Sequence, residues 1–241
     1  MRADVFLVKH GFAASRAEAQ AAIAAGTVRA DGTAVGKPSQ ALNPGMDIAY
    51  APAHPYVSRG GVKLASALDH FALSPEGHVC LDLGASTGGF THVLLARGAE
   101  RVYAIDVGHG QLHPRIAADP RVVAREGINA RDLASDVVPE AAQAIVADLS
   151  FIRLELALPP ALAMAAKGAW LVALVKPQFE LGPEAVGKGG IVRDPAARTG
   201  ALMQFQQWLT GIAGWTVLGS MESPIAGGDG NREYLLAARR G

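Results

Sequence analysis

The stretch Leu81-Asp82-Leu83-Gly84-Ala85-Ser86-Thr87-Gly88-Gly89-Phe90 decides the fold. It begins in the apolar run His78–Leu83, which reads as a buried strand, and ends in a helix-like run over 89–97. The glycines fall at the turn between them. Glycine there lets the backbone approach a ligand closely and aims the free amides of a helix N-terminus at it. The spacing is not the strict G-x-G-x-x-G of dinucleotide sites. Asp82, at the strand end, would repel a pyrophosphate but suits a ligand carrying an ammonium and a sulfonium. Asp106 ends the next apolar run, Val102-Tyr103-Ala104-Ile105, where a carboxylate can accept both hydroxyls of a ribose. The pattern therefore favours S-adenosylmethionine over a dinucleotide. The expected cofactor-binding set is Asp82, Gly84, Ser86, Thr87, Gly88, Gly89, Phe90, Asp106, Asn129 and Asp148.

On either side of this turn, short apolar runs alternate with helical stretches. The runs are His78–Leu83, Arg101–Val107, Arg121–Ala124, Ala144–Asp148, Trp170–Val175, Trp215–Met221 and Glu233–Ala238, with helices expected near 63–71, 89–97, 110–118, 151–166 and 195–212. Such alternation implies an α/β fold with a mostly parallel, Rossmann-like sheet wound on both faces. Only a Gly/Pro/Asp-rich turn separates the last two runs, so the last strand is expected to be antiparallel.

The first 50 residues follow another pattern. Residues 2–10 suit a helix stopped by Gly11. Ser15-Arg16-Ala17-Glu18 is a capping box opening an Ala-rich helix. Thr27–Val35 reads as a hairpin around Asp31-Gly32, a pair that favours a type I′ turn. Met46–Tyr50 suits a last strand. A small α+β module over 1–50, a Pro/Ala linker over 51–57 and an α/β domain over 58–241 are expected.

Composition bounds the chemistry. The 241 residues carry 22 basic and 22 acidic side chains, so net charge names no partner. Residues 1–60 lean basic, with Arg2, Lys9, Arg16, Arg29, Lys37 and Arg59 against Asp4, Glu18, Asp31 and Asp47. The single cysteine, Cys80, excludes an internal disulfide and a Cys-based zinc site, and no metal is expected. The start of the chain has no signal-peptide pattern, and the greasiest region, Leu154–Val175, is interrupted by Glu155, Pro159-Pro160 and Lys167-Gly168. A soluble, cytoplasmic protein with no membrane partner is expected.

Four charged residues fall near element ends. Asp148 and Lys176 close two strands expected to be parallel, at the edge where ligands of such sheets bind. Glu233 starts the antiparallel strand, which brings it to the same edge, and Lys63 lies on the helix before the sheet. A lysine near another cation can accept a proton from a weakly nucleophilic hydroxyl, and two carboxylates can orient the lysines. Gly84-Ala85-Ser86-Thr87-Gly88 also matches the nucleophile elbow G-x-S-x-G of the α/β-hydrolases. All seven histidines lie at or before His113, so none sits late in the chain where that triad needs its base.

The chain resembles the TlyA (hemolysin A) family of ribosomal RNA 2′-O-ribose methyltransferases over nearly its whole length. Arg2–Val8, Ser15–Ala19 and Gly26–Gly32 are similar to an S4 RNA-binding domain. Tyr56–Leu64, Leu81–Phe90, Asp148–Ile152 and Val175–Glu180 resemble that family's FtsJ-like catalytic core, a class I methyltransferase fold. The resemblance implies a catalytic Lys-Asp-Lys-Glu set at Lys63, Asp148, Lys176 and Glu233. It implies methylation of a cytidine 2′-hydroxyl in ribosomal RNA or ribosomal subunits. The short termini resemble the branch acting on the large subunit only; the wider reading adds the small subunit as a second target. RNA contacts are expected from Arg2, Arg16, Arg29, Lys37 and Arg59, mostly to phosphate. The Gly182–Arg193 segment is expected to be a mobile loop closing over substrate. The rival readings are a non-catalytic RNA or ribosome adaptor, a membrane-active hemolysin and an NAD-dependent dehydrogenase. The sequence leaves oligomeric state open.

Overall fold

A computed structural model describes residues 1–241, which form two compact units, Met1–Pro55 and Tyr56–Gly241. In the first, helices α1 (Ala3–Lys9) and α2 (Arg16–Ala24) pack with a small sheet of β1 (Val28–Ala30), β2 (Thr33–Ala34) and β3 (Ile48–Tyr50), ordered β2-β1-β3. Asp31 and Gly32 take φ of 49° and 75°, the left-handed pair a type I′ turn requires. Ser15 Oγ accepts from Glu18 N at 3.2 Å, while Glu18 Oε2 accepts from Ala14 N at 2.9 Å. The box thus closes one residue earlier than its usual form, because the carboxylate overshoots the cap. Phe6, Leu7, Ile23, Val28 and Leu42 fill the core.

The second unit opens with α3 (Arg59–His70). Then come β4 (Val79–Leu83), α4 (Gly89–Ala96), β5 (Arg101–Asp106), α5 (Pro114–Ala117), β6 (Val122–Glu126) and β7 (Ala142–Ala147). It continues through α6 (Leu154–Ala157), α7 (Pro159–Ala163), β8 (Ala165–Val175), α8 (Pro177–Glu180), α9 (Pro195–Thr210), β9 (Trp215–Glu222) and β10 (Tyr234–Arg240). The sheet order is β6-β5-β4-β7-β8-β10-β9. The pairings from β6 to β8 are parallel, and β10 runs antiparallel to both β8 and β9.

Successive strand residues sort into two cores, as a period of two demands. Leu81, Ile145, Leu171, Ala173 and Leu236 face one core with Leu154, Leu158 and Phe205 from α6–α9. Cys80, Ala144, Val146, Val172, Leu174 and Leu235 face the other with Leu64, Leu68, Val93 and Leu94 from α3 and α4. Both faces are buried, as a parallel sheet requires. Truncating one of these leucines to alanine would cost about 2–5 kcal/mol.

Four element expectations need correction. The helix expected over 151–166 is two short helices, because Pro159 cannot donate to the first and instead opens the second. β8 starts at Ala165 rather than Trp170. The helix expected over 110–118 contracts to one turn, opened by Pro114 and capped by His113 Nδ1 accepting from Arg115 N. α3, in turn, begins four residues before the expected Lys63, so Gly60 and Gly61 lie in its first turn. A side chain on Gly61 would run into the Tyr56 ring.

Candidate active site

β4, β7 and β8 are parallel neighbours, so their carboxyl ends and the loops after them meet at one edge. A cavity of about 210 Å³ lies there, lined by Gly84, Ala85, Ser86, Thr87, Gly89 and Phe90 from the β4–α4 turn. Asp148 and Ser150 after β7, Lys176 after β8, and Ser58 and Gly60 at the start of α3 complete it. The backbones crowd together. A Cβ on Gly84 would lie 2.6 Å from the Asp148 carbonyl oxygen, and one on Gly89 would strike Ser58 Oγ. Gly84 and Gly88 both have positive φ, which glycine adopts without cost. Ser86 (φ 48°) and Phe151 (φ 63°) are held in the same left-handed region at this edge. Such strain persists only where the surroundings impose it.

The expected cofactor residues divide. Gly84, Ser86, Thr87, Gly89, Phe90 and Asp148 line the cavity. Gly88 lies against Ile116 and Leu112 and is the α4 N-cap. Asp106 braces the turn: its Oδ2 accepts from Ser86 N at 2.7 Å and its Oδ1 from Gly108 N at 2.8 Å. Asn129 caps a short 3₁₀ turn through Arg131 N at 3.2 Å. Asp82 is fully buried and lies outside the cavity lining. Its Oδ2 accepts from Thr91 Oγ1 at 2.6 Å, while Oδ1 has no partner. Burial, then the charges of Asp148 and Asp106, push its carboxyl up to about 7. Three carboxylates and one unmatched buried oxygen around the turn fit a cationic ligand such as S-adenosylmethionine, whose positive charge would favour their ionised forms.

The four charged residues form two ion pairs. Lys63 Nζ donates to Glu233 Oε2 at 2.5 Å, with both side chains buried. Removing either partner would leave a buried charge unpaired, at about 3–5 kcal/mol. Lys176 Nζ stands 2.6 Å from Asp148 Oδ1, off the hydrogen-bonding direction, and donates to Ser150 Oγ at 2.9 Å. Only Lys176 and Asp148 reach the cavity wall. Glu233 instead lines a second cavity with Ser223, Ile225 and Arg232.

Sequence reading missed an aromatic pair at this edge. Phe151 is 90% exposed, and its ring centroid lies 4.9 Å from that of Phe179, which also stands 5.9 Å from Lys176 Nζ. Glu180 joins the two loops by accepting from Leu154 N at 3.1 Å, and burial pushes its carboxyl up to about 7. The signal was an aromatic side chain in each of two strand-end loops, where polar residues are the usual choice.

The arginines expected to touch RNA are mostly engaged within their own units. Arg2 and Arg16 both bond the buried Asp4 carboxylate, at 3.0 and 2.9 Å, with their side chains half exposed. Arg29 donates to Gly32 O at 3.0 Å, and Arg59 to Ala226 O at 2.6 Å. Lys37 is exposed. In the Gly182–Arg193 segment, the Gly190–Val192 end is bonded to Asn231, which accepts from Val192 N and donates to Gly190 O.

The FtsJ-like methyltransferase family model matches residues 56–240, and the S4 domain model residues 1–48. The chain is 44% identical to the 16S/23S rRNA (cytidine-2′-O)-methyltransferase TlyA of Mycobacterium tuberculosis, over 99% of this chain and 89% of that one. This chain belongs to the TlyA family. Within that family it is also 39% identical to hemolysin A of Brachyspira hyodysenteriae, covering 98% of both chains. A solved structure described as a hemolysin of Streptococcus thermophilus shares 38% identity at a TM-score of 0.76, over 100% of this chain and 88% of that one. No helix of this TlyA family member is long and apolar enough to cross a membrane.

Proposed function

We propose that the chain is an S-adenosylmethionine-dependent 2′-O-ribose methyltransferase acting on a cytidine of bacterial ribosomal RNA in the cytoplasm. Large-subunit RNA is the first expected target. The observation that carries this reading is the Lys176–Asp148 pair on the wall of the glycine-lined cavity, with Ser150 as a third polar group. Bound S-adenosylmethionine would supply an electrophilic methyl group on its sulfonium. The Gly84–Phe90 turn would hold its amino acid end, Asp106 its ribose, and Asp82 would balance its charge from below.

The chain's own residues then act on the acceptor. Lys176 Nζ, already held by Asp148 and Ser150, keeps one position for the ribose hydroxyl oxygen. Transfer would join that oxygen to the methyl carbon as the carbon–sulfur bond breaks and a neutral thioether leaves, and the hydroxyl proton would pass to the unprotonated member of the Lys176–Asp148 pair. The rate advantage is largely positional, because the oxygen must approach the methyl carbon in line. Phe151, exposed beside this group, is suited to stack on the acceptor's base. Lys63 and Glu233 stiffen the wall from behind. In the first unit, Arg2, Arg16, Arg29 and Lys37 would contact RNA phosphates; Arg59 would do so from the second.

The test is transfer of labelled methyl from S-adenosylmethionine to ribosomal subunits lacking the modification, with wild type beside Lys176→Ala and Lys176→Arg. Wild type should label large-subunit RNA. Both variants should bind cofactor normally and lose about 10²–10⁴-fold in rate. Retained activity in Lys176→Arg would remove Lys176 from its role. No label with wild type, cofactor still binding, would favour a non-catalytic adaptor.

A further inference from the structure

The turn before β10 is held from two sides. Arg59, the first residue of α3, donates Nη2 to Ala226 O at 2.6 Å. On the other side stands Asn231, 1% exposed and unassigned by the reading of the sequence. Its Oδ1 accepts from Val192 N at 2.9 Å, and its Nδ2 donates to Gly190 O and to Asp229 Oδ2, both at 2.8 Å. Its carbonyl oxygen accepts from Gly227 N at 2.8 Å. Gly227 is in turn seated on the catalytic set: a Cβ there would lie 2.7 Å from Glu233 Oε1. Glu233 is the partner of Lys63.

Hydrogen bonds join the 190–192 segment to the turn through Asn231, and the turn packs closely on Glu233 at Gly227. The side-chain chemistry at 231 is restrictive. The group must accept one N–H and donate to two acceptors from a short planar head, which an amide does; a carboxylate has no donor and a hydroxyl has one. Asn231 precedes β10, so none of these bonds serves the sheet.

We propose that Asn231 is a positioning residue for methyl transfer, clasping the Gly187–Val192 loop to the turn that holds Glu233 against Lys63. The role in transfer rests on the function proposed above. The clasped loop carries Lys188, with Arg193 at its end, so cations available to the RNA strand and the buried Lys63–Glu233 pair belong to one stiff piece. A loop that were merely mobile could not fix the pair.

The test uses the full chain with Asn231→Ala, Asn231→Asp and Gly227→Ala, each first checked for cooperative unfolding and cofactor affinity. Both Asn231 variants should keep cofactor affinity and lose about 10–100-fold in kcat, more than in KM for RNA. Trypsin should cut faster after Lys188 and Arg193 in both. Gly227→Ala, which displaces Glu233 with the clasp intact, should lose kcat without that cleavage. In a Glu233→Gln background, removing Asn231 should cost almost nothing further, because residues acting through one another are not additive.

A readout independent of turnover is acylation of Lys63 by acetic anhydride, followed by mass spectrometry. Lys63 should be protected in wild type and several-fold more reactive in Asn231→Ala, with Lys9 and Lys37 unchanged. Wild-type kcat in Asn231→Ala, full additivity with Glu233→Gln, or unchanged Lys63 acylation would each overturn the proposal. If wild type methylates no RNA, the proposed reaction fails, and Lys63 acylation still decides whether Asn231 holds the pair.

Discussion

Asp4 in the first unit and Asp82 in the second are both 0% exposed, yet they are treated in opposite ways. Asp4 accepts from Arg2, Arg16, the Gln20 amide and the Val5 backbone N–H. The two guanidiniums hold its carboxyl well below the usual carboxylate range. Asp82 has one hydroxyl on one oxygen, nothing on the other, and two further carboxylates nearby, and it is pushed up to about 7. A buried carboxylate that belongs to the fold is matched by the fold. One left short of partners is what the cofactor role proposed for Asp82 would require. Asp4 also holds two half-exposed guanidiniums on one carboxylate, the arrangement that the RNA contacts proposed for Arg2 and Arg16 would use.

The comparison can be broken most forcefully by pH. Between its ordinary value and about 7, Asp82 stays protonated in the folded protein and would ionise if unfolded. Stability of the second unit should therefore fall as pH rises from about 4 to 7 and then level off, a change of up to ~4 kcal/mol. Asp82→Asn should flatten that slope in thermal unfolding, with a smaller share, of the same sign, removed by Glu180→Gln. Asp4 has the opposite sign: its contribution is present at neutral pH and is lost only as pH falls through its depressed value. A slope that survives both substitutions would refute the assignment.

The next largest effect is on cofactor binding. Asp82→Ala, and Asp82→Asn with the Thr91 contact kept, should each weaken S-adenosylmethionine by about 10²-fold by calorimetry. Equal affinity in the Asn variant would mean that charge is not what Asp82 supplies. Smaller still is the proton linkage. Cofactor binding below pH 7 should release a proton from Asp82, so affinity should rise with pH by at most about tenfold per unit and plateau above 7. Buffers of different ionisation enthalpy read that proton directly. The smallest effect belongs to Asp4→Asn, which frees Arg2 and Arg16. RNA affinity should drop about threefold to tenfold at low salt, while cofactor affinity stays as in wild type.

The glycine turn, the order of strands and helices, the antiparallel last strand and the Asp31-Gly32 turn were all legible, because each follows from local pattern. So were the residues brought to the active edge, since Asp148 and Lys176 mark strand ends. The pairing of Lys63 with Glu233 was not, because it joins residues 170 positions apart. Asn231 was invisible for the same reason, its partners lying 39 and 41 positions away. Pro159-Pro160 signalled the break in the helix expected over 151–166, but its weight could be judged only once β8 was seen to start directly after α7. That Asp82 lies buried below the turn, outside the cavity lining, was not legible, because depth is not written in spacing.

Phe151 has a consequence for the resting enzyme. A phenyl ring 90% exposed on a left-handed backbone is an adhesive surface in water for as long as nothing covers it. A flat aromatic solute, whether a stray nucleobase, a dye or a flavin, could stack on the same face. Selectivity among them would then fall to the neighbours of Phe179, whose ring lies 4.9 Å from Phe151 and 5.9 Å from Lys176 Nζ: a molecule that also offered a hydroxyl to Lys176 would gain a second foothold. Planar compounds carrying a well-placed hydroxyl are accordingly the chemical class from which inhibitors of this site should be drawn.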